Sequence, residues 1–200
     1  MQATELQNKI MRYIRAKSGF ETQRAYLGMS HLGDCPRRQY DDFRNGLAVD
    51  DERHRMAFLG YAYESLEIGI LTGAGILRSV RRELVADFDE RLRGHIDGET
   101  VDGDLVEIKS VSRYKFDLVE LEMRATPEHF AQVQSYMHFG GYLHCEVVYV
   151  CREDFRHCVV HVPYSVNAAA RLVEKAKRVL VAIDAQTPPA CECKRCGHVR

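Results

Sequence analysis

The sequence predicts an α/β fold, a mixed central sheet flanked by helices, on three observations. Helical periodicity dominates residues 1–75. Alternating or β-branched runs separated by turn residues fill 76–163, with a helix inserted among them. A single amphipathic helix begins at 165. Helices, then strands with an inserted helix, then a helix are the element order of one layered domain. Two hundred residues, 46% of them hydrophobic, suffice for one core, and no repeat or low-complexity tract divides them. The expected organisation is one domain over 1–200: a helical part to 75, a sheet part over 76–163, and a closing helix with a cysteine tail over 165–200.

Each element has its own signal. Residues 4–17 place Leu6, Ile10, Tyr13 and Ile14 on one helical face. Asp34 is the expected N-cap of a short helix with Cys35 and Pro36 in its first turn, stopping at Asn45-Gly46. A longer helix runs from about Asp50 to Thr72, closed by Gly73. Strands are expected near 76–86, 91–98 and 104–112, with a further extended piece over 114–120. Thr126-Pro127-Glu128 opens a helix reaching Phe139. The β-branched runs "CEVVYVC" and "CVVHVPY" flank the polar turn Arg152-Glu153-Asp154 and read as a hairpin, and Ser165 caps the last helix.

Composition narrows the function. The net charge is −1, so nucleic-acid binding would rest on local patches rather than on a global positive field. Arg37, Arg38, Arg44, Arg53 and Arg55 offer one such patch, and Arg113 with Lys115 another; solvated surface is the alternative for both. The first twenty residues are too charged for a secretory signal, and no apolar run has the length of a membrane span. Seven cysteines in an otherwise ordinary composition predict a cytoplasmic protein with a metal or redox site, not a secreted disulfide framework. No phosphate-binding loop, HExxH, nucleophile elbow or dinucleotide fingerprint is present.

The chemistry concentrates in "GHIDGETVDGDLVEIKS", Gly94–Ser110. Asp102-Gly103 is a hairpin turn signal, and folding there sets Asp97 opposite Glu107-Ile108. Alternation puts Glu107 and Lys109 on one face with Arg93, His95 and Asp97; Leu92, Ile96, Val106 and Ile108 fall on an apolar one. Two carboxylates suit a hard cation such as Mg²⁺ or Mn²⁺, and the Ile108 carbonyl is a further candidate ligand. Lys109 could orient or deprotonate a water, or stabilise developing charge. The plain alternative is a solvated sheet face with a cross-strand ion pair. In the long helix, Gly60 would admit another backbone, and Glu64 lies one turn before Glu67. Gln132 and Tyr136 are i,i+4 neighbours, an amide and a phenol fit for contact with a nucleic-acid strand, by hydrogen bonds or by stacking.

Asp97, then Glu107-Ile108-Lys109, then Gln132-Val-Gln-Ser-Tyr136 resembles the PD-(D/E)XK nuclease superfamily in its RecB-like branch, with the QxxxY motif. "SHLGDCPRRQY", Ser30–Tyr40, is similar to the N-terminal cysteine segment of the CRISPR-associated RecB-like exonucleases. The resemblance implies a restriction-endonuclease-like fold and Mg²⁺- or Mn²⁺-dependent cleavage of DNA. It assigns metal binding to Asp97 and Glu107, catalysis to Lys109, and DNA contact to Gln132 and Tyr136. Several relatives carry a histidine in the long helix; here Tyr63 and Glu64 stand there, and Glu64 is taken as a ligand. His95 and Arg37 are added as DNA contacts.

The resemblance also implies a [4Fe–4S] cluster held by one N-terminal and three C-terminal cysteines, here Cys35 with Cys191, Cys193 and Cys196, the tail docking near the N-terminal helices. The C-x-C-x2-C spacing is tighter than the family's, and "CKRCG" also suits Zn²⁺, with His198 as a further ligand. Cys145, Cys151 and Cys158 lie in apolar strands and are expected in the core. The expected activity is a metal-dependent deoxyribonuclease, an exonuclease acting on single-stranded ends or overhangs. Its setting would be CRISPR spacer acquisition beside an integrase, or phage or bacterial recombination and repair. The rival is a non-catalytic zinc protein that binds nucleic acid or a partner.

Overall fold

The structure, a computed structural model, describes residues 3–19, 25–46 and 49–193. Three of its helices begin where a side chain accepts a free amide. Asp50 accepts the Arg53 amide at the head of α3 (Asp51–Gly73), and Thr126 accepts that of His129 at the head of α5 (Pro127–Gly140). Ser165 does the same for Ala168 in α6 (Val166–Asp184). The short helix α2 (Pro36–Asn45) starts one residue later than expected: Cys35, not Asp34, is its N-cap. Pro36 lacks the amide that N1 leaves unused, which sets the boundary. Asp34 instead accepts Gln39 Nε2 on its carbonyl at 2.8 Å.

Two other expectations fail, over residues 114–120 and at Gly60. Residues 114–120 are not extended but belong to the helix α4 (Arg113–Glu122). Phe116 and Val119, three apart, share its buried face, while Tyr114 and Leu121 lie in solvent. Aromatic and β-branched residues imitate a strand in so short a piece. The first helix, α1 (Ala3–Lys17), exposes the apolar face that periodicity gave it: none of its residues is buried, and Tyr13 meets Phe58 of α3 edge-on. A Cβ at Gly60 would meet no atom within 4 Å outside its own stretch of helix, so no backbone approaches it closely.

The sheet is mixed, as expected. Among the described residues its six strands are β1 (Leu27–Gly28), β2 (Leu77–Ala86), β3 (Asp89–Thr100), β4 (Leu105–Val111), β5 (His144–Cys151) and β6 (His157–Pro163). β2 runs antiparallel along one edge of β3. The other edge is shared. β1 pairs parallel with it at Leu27↔Leu92 and Gly28↔Arg93, and β4 pairs antiparallel at Gly98↔Val106 and Glu99↔Leu105. Gly94–Asp97 lie between those two pairings. The hairpin turn has a three-residue loop in which Gly103 alone takes a positive φ, 96°, and Thr100 and Asp104 close it. β4 and β5 are parallel over seven residue pairs, and β5 and β6 form the expected antiparallel hairpin.

The forking of β3 from β4 divides the core. Leu92, Ile96, Leu105, Val147 and Tyr149 join the main cluster beneath α5 and α6, whereas Val106, Ile108, Val148 and Val150 pack beneath Tyr63, Ile68 and Leu71 of α3. The expectation that Ile96 and Ile108 share one apolar face is thereby corrected. Two strands that separate after two pairs keep their own alternation but not a common face. Cys145, Cys151 and Cys158 are buried, as expected.

Candidate active site

The fork opens into a cleft of about 560 Å³, and Asp97, Glu107, Lys109, Gln132, Tyr136 and Glu64 all line it. Asp97 stands where the β3–β4 pairing ends, and its Oδ2 accepts the Ile108 amide at 2.7 Å. Glu107 is 1% exposed. Its Oε1 accepts Lys109 Nζ at 2.6 Å and Gln132 Nε2 at 2.6 Å, while Oε2 is buried without a partner. Gln132 also donates to the Tyr136 hydroxyl at 3.2 Å. Gly94 makes room for this approach: a Cβ there would lie 2.5 Å from Tyr136 Cε1.

Electrostatics follow from crowding charge out of water. Burial first, then Glu107 and Glu64, push the Asp97 carboxyl well above the usual range. Burial also raises Glu107, against the pull of Lys109. Burial alone would lower Lys109; Glu107 and Asp97 outweigh it and hold the ammonium charged. Glu107 and Asp97 share the Lys109 ammonium, and an orphaned buried carboxylate oxygen, Glu107 Oε2, is costly unless a cation or donor meets it. The donors present are hard oxygens. Their chemistry suits Mg²⁺ or Mn²⁺: the carboxylates of Asp97, Glu107 and Glu64 line one cleft, and Ile108 lies between Glu107 and Lys109 in sequence.

The remaining predicted residues fall in different places. His95 lines the cleft at its exposed rim, 3.7 Å from Glu83. Arg37 does not share that cleft; it is half-buried against Asp41 at 2.9 Å on α2, and Arg38 pairs with Asp42. Arg113 pairs with Asp154 and Lys115 with Glu128. Tyr136 is 3% exposed, so the expectation of a ring that stacks on bases is corrected: the i,i+4 face of α5 turns inward, onto Gly94 and Glu107. Glu67, one turn beyond Glu64 in α3, does not line the cleft and meets His157 at 3.0 Å.

Sequence reasoning missed two features. Arg81, opposite Asp97 in β2, has φ 43° and donates to Glu64 within the cleft. An arginine in a strand carries no sequence signal for that. His129 and Tyr149 form a part-buried pair, Nδ1 to hydroxyl at 2.9 Å, with Tyr149 opposite Lys109 in the neighbouring strand. Burial, then the charges of Lys109 and Lys115, bring His129 down to about 3.

A second cluster lies at the ends of the chain. Cys35, Cys191 and Cys193 bring their sulfurs within 4.8 Å of one another, Cys35 and Cys191 at 3.9 Å. The Glu192 amide donates to Cys35 Sγ at 3.3 Å, and Lys175 of α6 donates to the Asp34 carbonyl at 3.2 Å. The tail therefore docks beside the N-terminal helical region, as expected. Cys196 and His198 lie outside the described residues.

The fold, a mixed sheet flanked by helices, is one this chain shares with solved structures that include exonucleases. LHK-Exo, an alkaline exonuclease from Laribacter hongkongensis crystallised with dAMP, matches with a TM-score of 0.67 and 13% identity, over 81% of this chain and 89% of that one. SSO0001 matches with a TM-score of 0.56 and 17% identity, over 92% and 88%. A phage-related exonuclease from Haemophilus somnus matches with a TM-score of 0.50 and 10% identity, over 80% and 94%. No protein-family model and no curated protein matches the sequence. Among the described residues, no helix is long and apolar enough to cross a membrane.

Proposed function

We propose that the chain is a single metal-dependent DNA exonuclease domain, acting on single-stranded ends or overhangs. The observation that carries this reading is the buried Glu107, whose Oε2 has no partner, beside Asp97 and Lys109 in an open cleft. Bound there, a divalent cation supplies Lewis acidity at the phosphate and an acidified water. Asp97, Glu107 and Glu64 would hold it. Lys109, kept charged by its carboxylates, donates to the water or to the phosphate oxygen rather than acting as a base. Gln132 fixes the orientation of Glu107, and the Tyr136 hydroxyl fixes Gln132. His95 and Arg93 at the cleft mouth meet the incoming strand. Arg37 would meet DNA only beyond the cleft, on the α2 surface.

The likeness to alkaline and phage-related exonucleases favours a setting in recombination or end repair over spacer acquisition beside a CRISPR integrase. The cysteine cluster supports a second metal centre. With Cys196 as fourth thiolate it would hold [4Fe–4S], Zn²⁺ being the alternative. The purified protein should release nucleotides from end-labelled DNA in Mn²⁺. Lys109→Ala should cut that rate by about 10²–10⁴-fold while leaving Mn²⁺ binding intact. No nucleotide release from any DNA form by the metal-loaded parent would leave the rival reading, a non-catalytic zinc protein.

A further inference from the structure

Arg81 is exposed at the rim of the cleft, yet its backbone adopts φ 43°, a region that side-chain-bearing residues rarely occupy. It sits in β2 between Val80↔Gly98 and Arg82↔Ile96, hence opposite Asp97. That twist sends the guanidinium back over the cleft, where Nε and Nη2 both donate to Glu64 Oε1, at 3.2 and 3.0 Å. Nothing in the apolar packing calls for it; Arg81 belongs to neither core cluster. A strained residue at a charged cleft points to a role in the cleft.

We propose that Arg81 competes with the divalent cation for Glu64, and that the guanidinium, once released, takes up a phosphate of the DNA. This rests on the metal-site reading above. Two positive charges a few ångströms apart in a partly dry cleft repel strongly, so a cation and Arg81 cannot both be tightly held by one carboxylate. Arg81 therefore lowers metal affinity in the absence of DNA. Its long side chain and rim position allow it to turn outward. A planar fork matched to two oxygens suits phosphate as well as carboxylate. Substrate and cation then assist one another, because the phosphate removes the competitor that the cation must displace.

Mn²⁺ affinity, read from the EPR signal of the free ion without DNA, tests the proposal in parent, Arg81→Gly, Arg81→Lys and Asp97→Ala proteins. Glycine accepts φ 43° without strain and removes the charge, so folding is not at risk. Arg81→Gly should bind Mn²⁺ at least threefold more tightly than the parent, and Arg81→Lys should stay close to it. A single-stranded oligonucleotide should bind Arg81→Gly several-fold more weakly than the parent in Ca²⁺, but equally in EDTA. Unchanged or weaker Mn²⁺ binding in Arg81→Gly overturns the proposal. So does an equal loss of oligonucleotide affinity in Ca²⁺ and EDTA, which makes Arg81 an ordinary phosphate contact. Asp97→Ala separates the two layers: if it binds Mn²⁺ as the parent does, the metal-site reading itself has failed.

Discussion

Asp97 closes the gap in the sheet with its own side chain: Oδ2 accepts the Ile108 amide at 2.7 Å, where the β3–β4 pairing has already ended. One carboxylate thus holds the fork open at a fixed width and lies beside Glu107 in the cleft. The structural and the proposed chemical roles of Asp97 can be separated, because an amide side chain can do the first but not the second.

Asp97→Asn keeps an acceptor for Ile108 and removes the charge that burial and Glu107 disfavour. Nuclease activity in Mn²⁺ should vanish. Melting in chelator at pH 8 should hold or rise, by ~1 kcal/mol or about 2–4 °C. The sign follows from the raised carboxyl: ionisation costs stability above its folded pKa, and the gain from asparagine should fade as acid protonates the parent's Asp97. Activity at the parent rate would end the metal-site assignment.

Tyr136 is a packing residue with a working hydroxyl. Tyr136→Ala should cost about 3–5 kcal/mol, because the ring fills the space against Gly94. Tyr136→Phe keeps that packing and loses only the oxygen that accepts from Gln132, worth about 1 kcal/mol. Thermal melts and single-strand affinities of both variants decide it. A tenfold loss of affinity in Tyr136→Ala at unchanged melting temperature would restore a surface role.

His129 should make the protein acid-sensitive. The Tyr149 hydroxyl accepts the Thr126 amide and lies 2.9 Å from His129 Nδ1, while burial and the charges of Lys109 and Lys115 keep the ring neutral. The unfolded chain takes up a proton near the ordinary value of 6.5, while the fold refuses it until about 3. Stability is therefore lost as pH falls from 6.5 towards 3, by up to about 1.4 kcal/mol per pH unit. Denaturant melts of parent and His129→Gln across this window should diverge steadily. Parallel curves would show that His129 titrates normally.

Cys35→Ala should release the metal of the tail and lower stability, since metal affinity at a thiolate site is also folding free energy. Cys145→Ala, in the core, should keep the metal. Elemental analysis for iron and zinc on both proteins is the measurement. Equal loss in the two, or loss in neither, would mean that the wrong thiols have been grouped.

Much of this was legible in the chain itself. The 3.6 and 2 periodicities located most helices and strands, because burial on one side imposes them wherever an element is long enough. The Asp-Gly turn and the Glu-x-Lys strand identified the acidic hairpin, because turn chemistry and strand alternation act over a few residues. Cys35 and the tail cysteines were grouped by resemblance alone, and α2 and α6 show how they meet. What failed was short or ambiguous: ten residues of α4 held too few buried positions to distinguish a helix from a strand.

The tertiary structure decided which face is inside. Alternation says that Glu107 and Lys109 point together, but only the fork between β3 and β4 turns them under α5. There Gln132 bonds Glu107 and Tyr136 bonds Gln132, at the wall of the cleft and not on the open face of α5. The guanidinium of Arg81 reaches Glu64 through a backbone angle that no pattern encodes. Local sequence fixes each strand's own alternation, whereas the register and separation of neighbouring strands depend on contacts distant in the chain, and those set the geometry of the cleft.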